Sequence, residues 1–151
     1  MSSNIYSVGL RNVGSYEVSG VPWIGQFGVS GSSLVSAPND ELNVKFPYVA
    51  KSVTIRTIYG LDGSKDAQTA YDMRMHLASV YDGSTRNQVQ DGLHFWLIEP
   101  QGKERTFTGK FKELFFSMAR SDSSVYFELY AELTNIPTSS MYTLSGSGIN
   151  Q

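Results

Sequence analysis

The chain has 151 residues, a formal net charge of −2 and no cysteine. That length makes one domain able to bury roughly 70% of the surface its unfolded chain would expose, so folding needs neither a disulfide nor a metal. The missing thiols exclude cysteine nucleophiles, disulfides and thiolate metal sites together, and the slightly acidic balance lacks the basic footprint of a nucleic-acid binder. Charged residues make up 17% of the chain and aromatics 13%, with 14 glycines. That mixture suits short strands joined by Gly/Ser turns, either with part of a low-charge surface covered by neighbours or with the Ser/Thr-rich surface of an ordinary β-sandwich. No apolar run approaches the roughly 18 residues of a membrane span. A signal-peptide pattern and an Asn-x-Ser/Thr acceptor are both missing, so a soluble chain assembled inside a cell is expected.

Residues 1–38 have a texture of their own, with Arg11 and Glu17 as their only charges and six glycines. Short alternating pieces (Ile5 to Leu10, Tyr16 with Val18, Trp23 to Val29) are each interrupted by Gly, which weakens strand interiors. Such a segment gains too little burial alone to offset its ordering entropy. It is expected to be an N-terminal arm lying on its own domain or on a neighbour, dispensable for folding of the core.

The plan is clearest in residues 42–57, LNVKFPYVAKSVTIRT. Leu42, Val44 and Phe46 alternate with Asn43 and Lys45, a half-buried strand. Pro47 and Tyr48 predict a corner between strands, and Val53, Ile55 and Thr57 then mark a second strand rich in β-branched residues. Tyr59 to Asp66 reads as a turn cluster. Its Asp62 and Asp66 lack the calcium-loop pattern and are expected to be solvated. Between Tyr71 and Val80, Tyr71, Met73, Met75 and Leu77 share one face, while Asp72, Arg74 and His76 share the other, which meets solvent or a partner. The polar residues 81–92 read as a loop.

Residues 93–98, LHFWLI, predict a strand buried on both faces. Trp96 beside His94 has the makings of a sugar-stacking platform, yet core or interface packing is the expectation, because Trp is highly buried on average. A turn with Pro100 and Gly102 leads to a solvated strand face holding Lys103, Arg105, Lys110 and Lys112. A further strand carries Leu114, Phe116 and Met118 on one side. In residues 124–133, Val125, Phe127, Leu129, Ala131 and Leu133 oppose Tyr126, Glu128, Tyr130 and Glu132. Small Ala131 should face a bulky neighbour. The tail, residues 137–151, returns to the Gly/Ser texture, with a short edge strand near Met141 to Leu144 and a linker-like composition after it.

A search for chemistry finds little. A Ser nucleophile would need His76 or His94, neither of which adjoins a Gly-x-Ser-x-Gly elbow. Two separated histidines do not make a zinc site. Gly25, Gly28 and Gly31 recur every three residues but precede no helix, so they form no phosphate loop. A glycosidase carboxylate pair is defined by tertiary distance, so sequence is silent on it. No catalytic residue, cofactor or metal is expected, and the chain is not read as an enzyme.

Three stretches carry a resemblance: Ser7-Val8-Gly9-Leu10-Arg11-Asn12-Val13-Gly14-Ser15-Tyr16, Phe46-Pro47-Tyr48-Val49-Ala50-Lys51-Ser52-Val53, and Ala131-Glu132-Leu133-Thr134-Asn135-Ile136 with Met141-Tyr142. Together they resemble small virion structural proteins of tailed bacteriophages, notably those of marine bacteria and cyanobacteria. The resemblance implies a β-rich head or tail component located in the virion and assembled in the host cytoplasm. Within that class a capsid decoration (cement) protein is favoured, binding the major capsid protein between capsomers and associating with copies of itself, a trimer being favoured, with no nucleic-acid or membrane partner. The expected fold is an all-β antiparallel sandwich, jelly-roll-like, with an arm at 1–38, a core at 39–136 with seven or eight strands between Leu42 and Leu133, and a tail at 137–151. Tyr16, Trp23, Phe27 and Tyr142, on the arms, are the expected partner contacts. Alternatives are a tail, neck or baseplate component, and a carbohydrate-binding module with Trp96 or Trp23 as its platform.

Overall fold

The computed structural model describes residues 20–31, 41–58, 73–79, 95–98, 104–118, 123–142, 144–145 and 148–149. They are all-β. The strands are β1 (Val21–Gly31), β2 (Leu42–Ile58), β3 (Met73–His76), β4 (Trp96–Ile98), β5 (Glu104–Met118), β6 (Ser123–Pro137), β7 (Leu144–Ser145) and β8 (Gly148–Ile149), with one 3₁₀ turn at Thr138–Ser140. Six of them form one antiparallel sheet in the order β1-β6-β2-β5-β3-β4, and β7 pairs with β8 in a separate small hairpin.

Strand β2 lies at the centre, with β5 on one side and β6 on the other. Its first half buries even-numbered residues, Val44 and Phe46, and its second half odd-numbered ones, Val53, Ile55 and Thr57. A change of parity along one strand requires an irregularity, because successive side chains point to opposite faces. It occurs where the register with β5 and β6 shifts, between Lys45 and Ser52. The flanking strands change phase as well. β6 buries Leu129, Ala131 and Leu133, then Thr134 and Ile136, and β5 buries Phe111, then Leu114, Phe116 and Met118. Thr134 supports the irregularity chemically: its hydroxyl donates to the Val49 carbonyl (2.7 Å) and accepts from the Ile136 N–H (3.1 Å). Buried backbone groups that ladder pairing does not reach are thereby satisfied.

The sheet folds back on itself. Phe116 is registered with Leu42 at the start of β2, and Phe127 with Thr57 near its end. Those positions would be roughly 50 Å apart on a straight strand, yet the two rings lie 4.7 Å apart, centroid to centroid. Trp23 of β1 likewise meets Phe46 edge-on at 5.3 Å. The inner face therefore closes around one core of Val44, Phe46, Val53, Ile55, Leu114, Phe116, Phe127 and Leu129. Each such fully buried side chain contributes about 1.5–3 kcal/mol relative to exposure. Ala131 is fully buried and registered with Trp23, the bulky neighbour its size calls for.

Several expectations change. Pro47 and Tyr48 do not separate two strands; both lie in β2, where the irregularity absorbs the missing proline donor. The turn-bounded pieces around residues 103–118 are likewise one strand of 15 residues. Five of the described strands fall between Leu42 and Pro137, and three of them, β2, β5 and β6, are long, with 17, 15 and 15 residues. They form one large folded sheet. The segment read as an N-terminal arm contains β1, which pairs with β6 over eleven positions from Val21–Leu133 to Gly31–Ser123. Of the run 93–98, the described strand β4 is not buried on both faces: it is the last strand of the described sheet, with Trp96 and Leu97 exposed and Ile98 buried.

Candidate functional site

Three places in the fold gather side chains with chemistry. The first is buried. β3 runs beside β5 with His76 registered to Phe115, and the imidazole lies flat against that ring, centroids 6.0 Å apart. Nδ1–H donates to the Ala78 carbonyl (2.8 Å), which leaves Nε2 to accept from the Ser117 hydroxyl (3.2 Å). Glu41 Oε2 stands 3.8 Å from Nδ1, and Glu41 Oε1 accepts from the Ser79 hydroxyl at 2.7 Å. Ser117, His76 and Glu41 are the residue types of a hydrolase triad, but the roles are not filled. The orienting bond to Nδ1 comes from a backbone carbonyl, Glu41 is beyond hydrogen-bond reach, and Ser117 is 1% exposed, so no substrate carbonyl can approach its oxygen. Burial pushes the His76 pKa down to about 4. The neutral imidazole is a polar strut joining β3 to β5. His76 thus faces inward, not toward solvent or a partner.

The second place is the outer face of β1, β6, β2 and β5, where register aligns side chains in rows. One row is Ile24, Tyr130, Thr54 and Thr106; the next is Gln26, Glu128, Arg56 and Glu104. Glu128 is the hub of the second row. Its Oε1 accepts from Gln26 Nε2 at 3.2 Å, and its Oε2 accepts from Arg56 Nε at 3.0 Å and from Arg56 Nη2. The Arg56 hydrogen bonds hold the Glu128 carboxyl below its usual pKa range. Thr54 and Thr106 share a 2.9 Å hydroxyl hydrogen bond. A shallow groove of about 280 Å³ follows these rows, lined by Ile24, Gln26, Thr54, Arg56, Glu128 and Tyr130. Tyr126 lies over Gly28, where a methyl group would sit 2.8 Å from the ring, so the ring takes the space a side chain would fill.

The third is the β4 edge. Trp96 is 56% exposed and meets Phe107 edge-on at 5.6 Å, and the Arg74 guanidinium lies 4.9 Å over the Phe95 ring. Trp96 is therefore not a core residue, while the interface packing also expected of it is compatible with this exposure. A three-residue edge strand supplies too little backbone to cover it.

The expected partner contacts are scattered. Trp23 and Phe27 are half-buried against Phe46 and Phe127, so their inward packing leaves only part of each ring for a partner. Tyr142 is 56% exposed just after the 3₁₀ turn. Tyr16 lies outside the described residues, as do His94, Asp62, Asp66 and Asp72. Among the described residues no group of three or more histidines and carboxylates gathers as a metal site, and no helix is long and apolar enough to cross a membrane. Gln26, Arg56 and Glu128 received no role from sequence. Their outward parity was legible, but their alignment is a product of strand register.

Comparison of the chain with protein-family models, with curated proteins and with solved structures finds no match.

Proposed function

We propose that the chain is a non-enzymatic structural protein of a tailed-phage particle, a capsid decoration (cement) protein that binds the major capsid protein between capsomers and stabilises the head. The observation that supports this most is the outward surface. Ile24, Tyr126 and Tyr130 are exposed on an outer face where Arg56 and Glu128 satisfy each other, with Glu104 at the end of their row. Exposed aromatics with few unpaired charges are the composition of interface cores, which favour Tyr and disfavour Lys and Glu. Such a face loses little by dehydration when a neighbour covers it, and repetition over many copies multiplies a modest gain per copy. The folded sheet, with β1 and β6 packed across from the start of β2 and the end of β5, favours the jelly-roll-like sandwich form of such proteins.

The test is sedimentation of the full chain with heads assembled from its own particle's major capsid protein. Saturable binding, with heads that survive a higher temperature than bare ones, is the expected result. A chain that ignores heads and locates to tails, necks or baseplates would move it to the alternative structural class. Removing residues 1–19 asks what the N-terminal segment adds. A deletion through residue 38 does not, because it takes β1 out of the sheet.

The exposure of Trp96 favours a second reading, a carbohydrate-binding module with that indole as its platform. Glycan-array binding that disappears in Trp96→Ala, with the circular dichroism spectrum unchanged, would establish it over the first.

A further inference from the structure

The edge strand β1 is built unlike a protected edge. Sheet edges in monomers are blunted by charge, by proline, by bulges or by brevity, because their free N–H and C=O groups are templates for another chain. β4, at the far edge, has three residues and is protected by brevity. β1 has eleven, VPWIGQFGVSG, with no charged side chain and with Pro22 only at its second position. Its pairing with β6 is continuous, so it has no bulge to turn it away. Among the described residues β6 is its only partner strand, while Ile24 is 71% and Val21 51% exposed.

We infer that β1 pairs antiparallel with β1 of a second copy about a two-fold axis through Gln26, joining two six-stranded sheets into one. The strand is self-complementary in that register. Val21 falls opposite Gly31, Pro22 opposite Ser30, Trp23 opposite Val29, Ile24 opposite Gly28 and Gly25 opposite Phe27. No pair sets two bulky aromatic rings or two charges against each other, and a two-fold interface is satisfied only by such self-matching. At the axis the two Gln26 amides meet. Each already donates one N–H to Glu128 of its own subunit, which leaves an N–H and a carbonyl oxygen for the other amide. Ile24, the most exposed large apolar side chain among the described residues, loses its open lateral side in the dimer. The adjoining rows then continue across the axis, so that the groove beside Tyr130 has a counterpart in the second copy. This pairing does not depend on the virion reading, and it differs from the three-fold association that the resemblance implies.

The test uses the full chain. Analytical ultracentrifugation should show a monomer–dimer equilibrium with a dissociation constant of about 1–100 μM, the range for a small edge interface. Gln26→Lys retains a partner in Glu128 within its own subunit, so the monomer fold persists, but it sets two ammonium groups face to face at the axis. It should raise the dissociation constant about ten-fold or more. Because the chain has no cysteine, Gln26→Cys reports the axis directly. It should form a covalent dimer on mild oxidation, whereas Thr108→Cys, on the outer face of β5 away from the edge, should not. Monomer at about 1 mM, a trimer, or a dimer unmoved by Gln26→Lys would overturn the inference. So would Gln26→Cys cross-linking no faster than Thr108→Cys, whatever the oligomeric state.

Discussion

His76 makes stability depend on pH in a direction and size that follow from its surroundings. The ring is held neutral: Ala78 takes its one proton, Ser117 donates to its bare nitrogen, and the Phe115 ring covers its face. The titratable groups around it are Glu41, at 3.8 Å, and Arg74, whose positive charge further opposes protonation. In the unfolded chain the imidazole titrates near 6.5, and in the folded chain burial lowers this to about 4. Between those values the unfolded state binds a proton that the folded state refuses. The stability is therefore complete above about pH 6.5 and is lost as pH falls toward 4. Linkage makes the full loss roughly 3 kcal/mol, of which about 2 kcal/mol has gone by pH 5. Against a domain stability of about 5–15 kcal/mol this is a large share. Urea unfolding at pH 7.5 and pH 5 of the native chain and of His76→Gln measures it. The variant is less stable at pH 7.5, because Gln cannot satisfy the same three neighbours, but its stability should fall less on acidification, by about 2 kcal/mol. Carboxylates such as Glu128 titrate in both proteins and cancel in the difference. Equal losses in the two proteins would refute the claim that His76 is buried neutral.

Other substitutions test the fold at single points. Thr134→Val keeps the shape of the side chain but strands the Val49 carbonyl and the Ile136 N–H at the irregularity, and should cost about 2–4 kcal/mol by chemical denaturation. Thr134→Ser should restore most of that, since it returns the hydroxyl. Phe127→Ala removes the ring that packs against both Phe27 and Phe116, and the urea midpoint should fall by the equivalent of about 3–5 kcal/mol. Gly25→Ala puts a methyl group into the Phe27 ring. Displacing that ring from the core should cost about 1–3 kcal/mol, read as a lower melting temperature. An unchanged melting temperature would mean that Phe27 has room to move.

Much of the strand content was legible because parity is a local property. Val53, Ile55 and Thr57 are buried as their alternation requires, and so are Val125, Phe127, Leu129, Ala131 and Leu133. Misreadings fall where parity changes. Pro47 and Tyr48 carry the sequence marks of a corner, yet a break between two strands and an irregularity within one are written with the same residues. The choice depends on whether β5 and β6 run past both halves, which no local pattern records. The candidate sites were less legible for the same reason. Trp96 sits in an apolar run that suggests burial, and its exposure follows from the place of β4 at the sheet edge. His76 alternates as an outward residue, yet it is buried because Phe115 and Ser117 of β5 close over it.

By itself, then, the sequence determined an all-β chain without thiol chemistry, the odd-numbered inward face of β6, and room for a bulky neighbour at Ala131. These follow from composition and from the two-residue period of a strand, which act over a few neighbours. The tertiary structure alone decided that β1 belongs to the main sheet, that Phe116 meets Phe127, and that Gln26, Glu128 and Arg56 form one row. The physical reason is that strand register and the folding of a sheet join residues as far apart as Gln26 and Glu128, and no short-range pattern specifies such pairs.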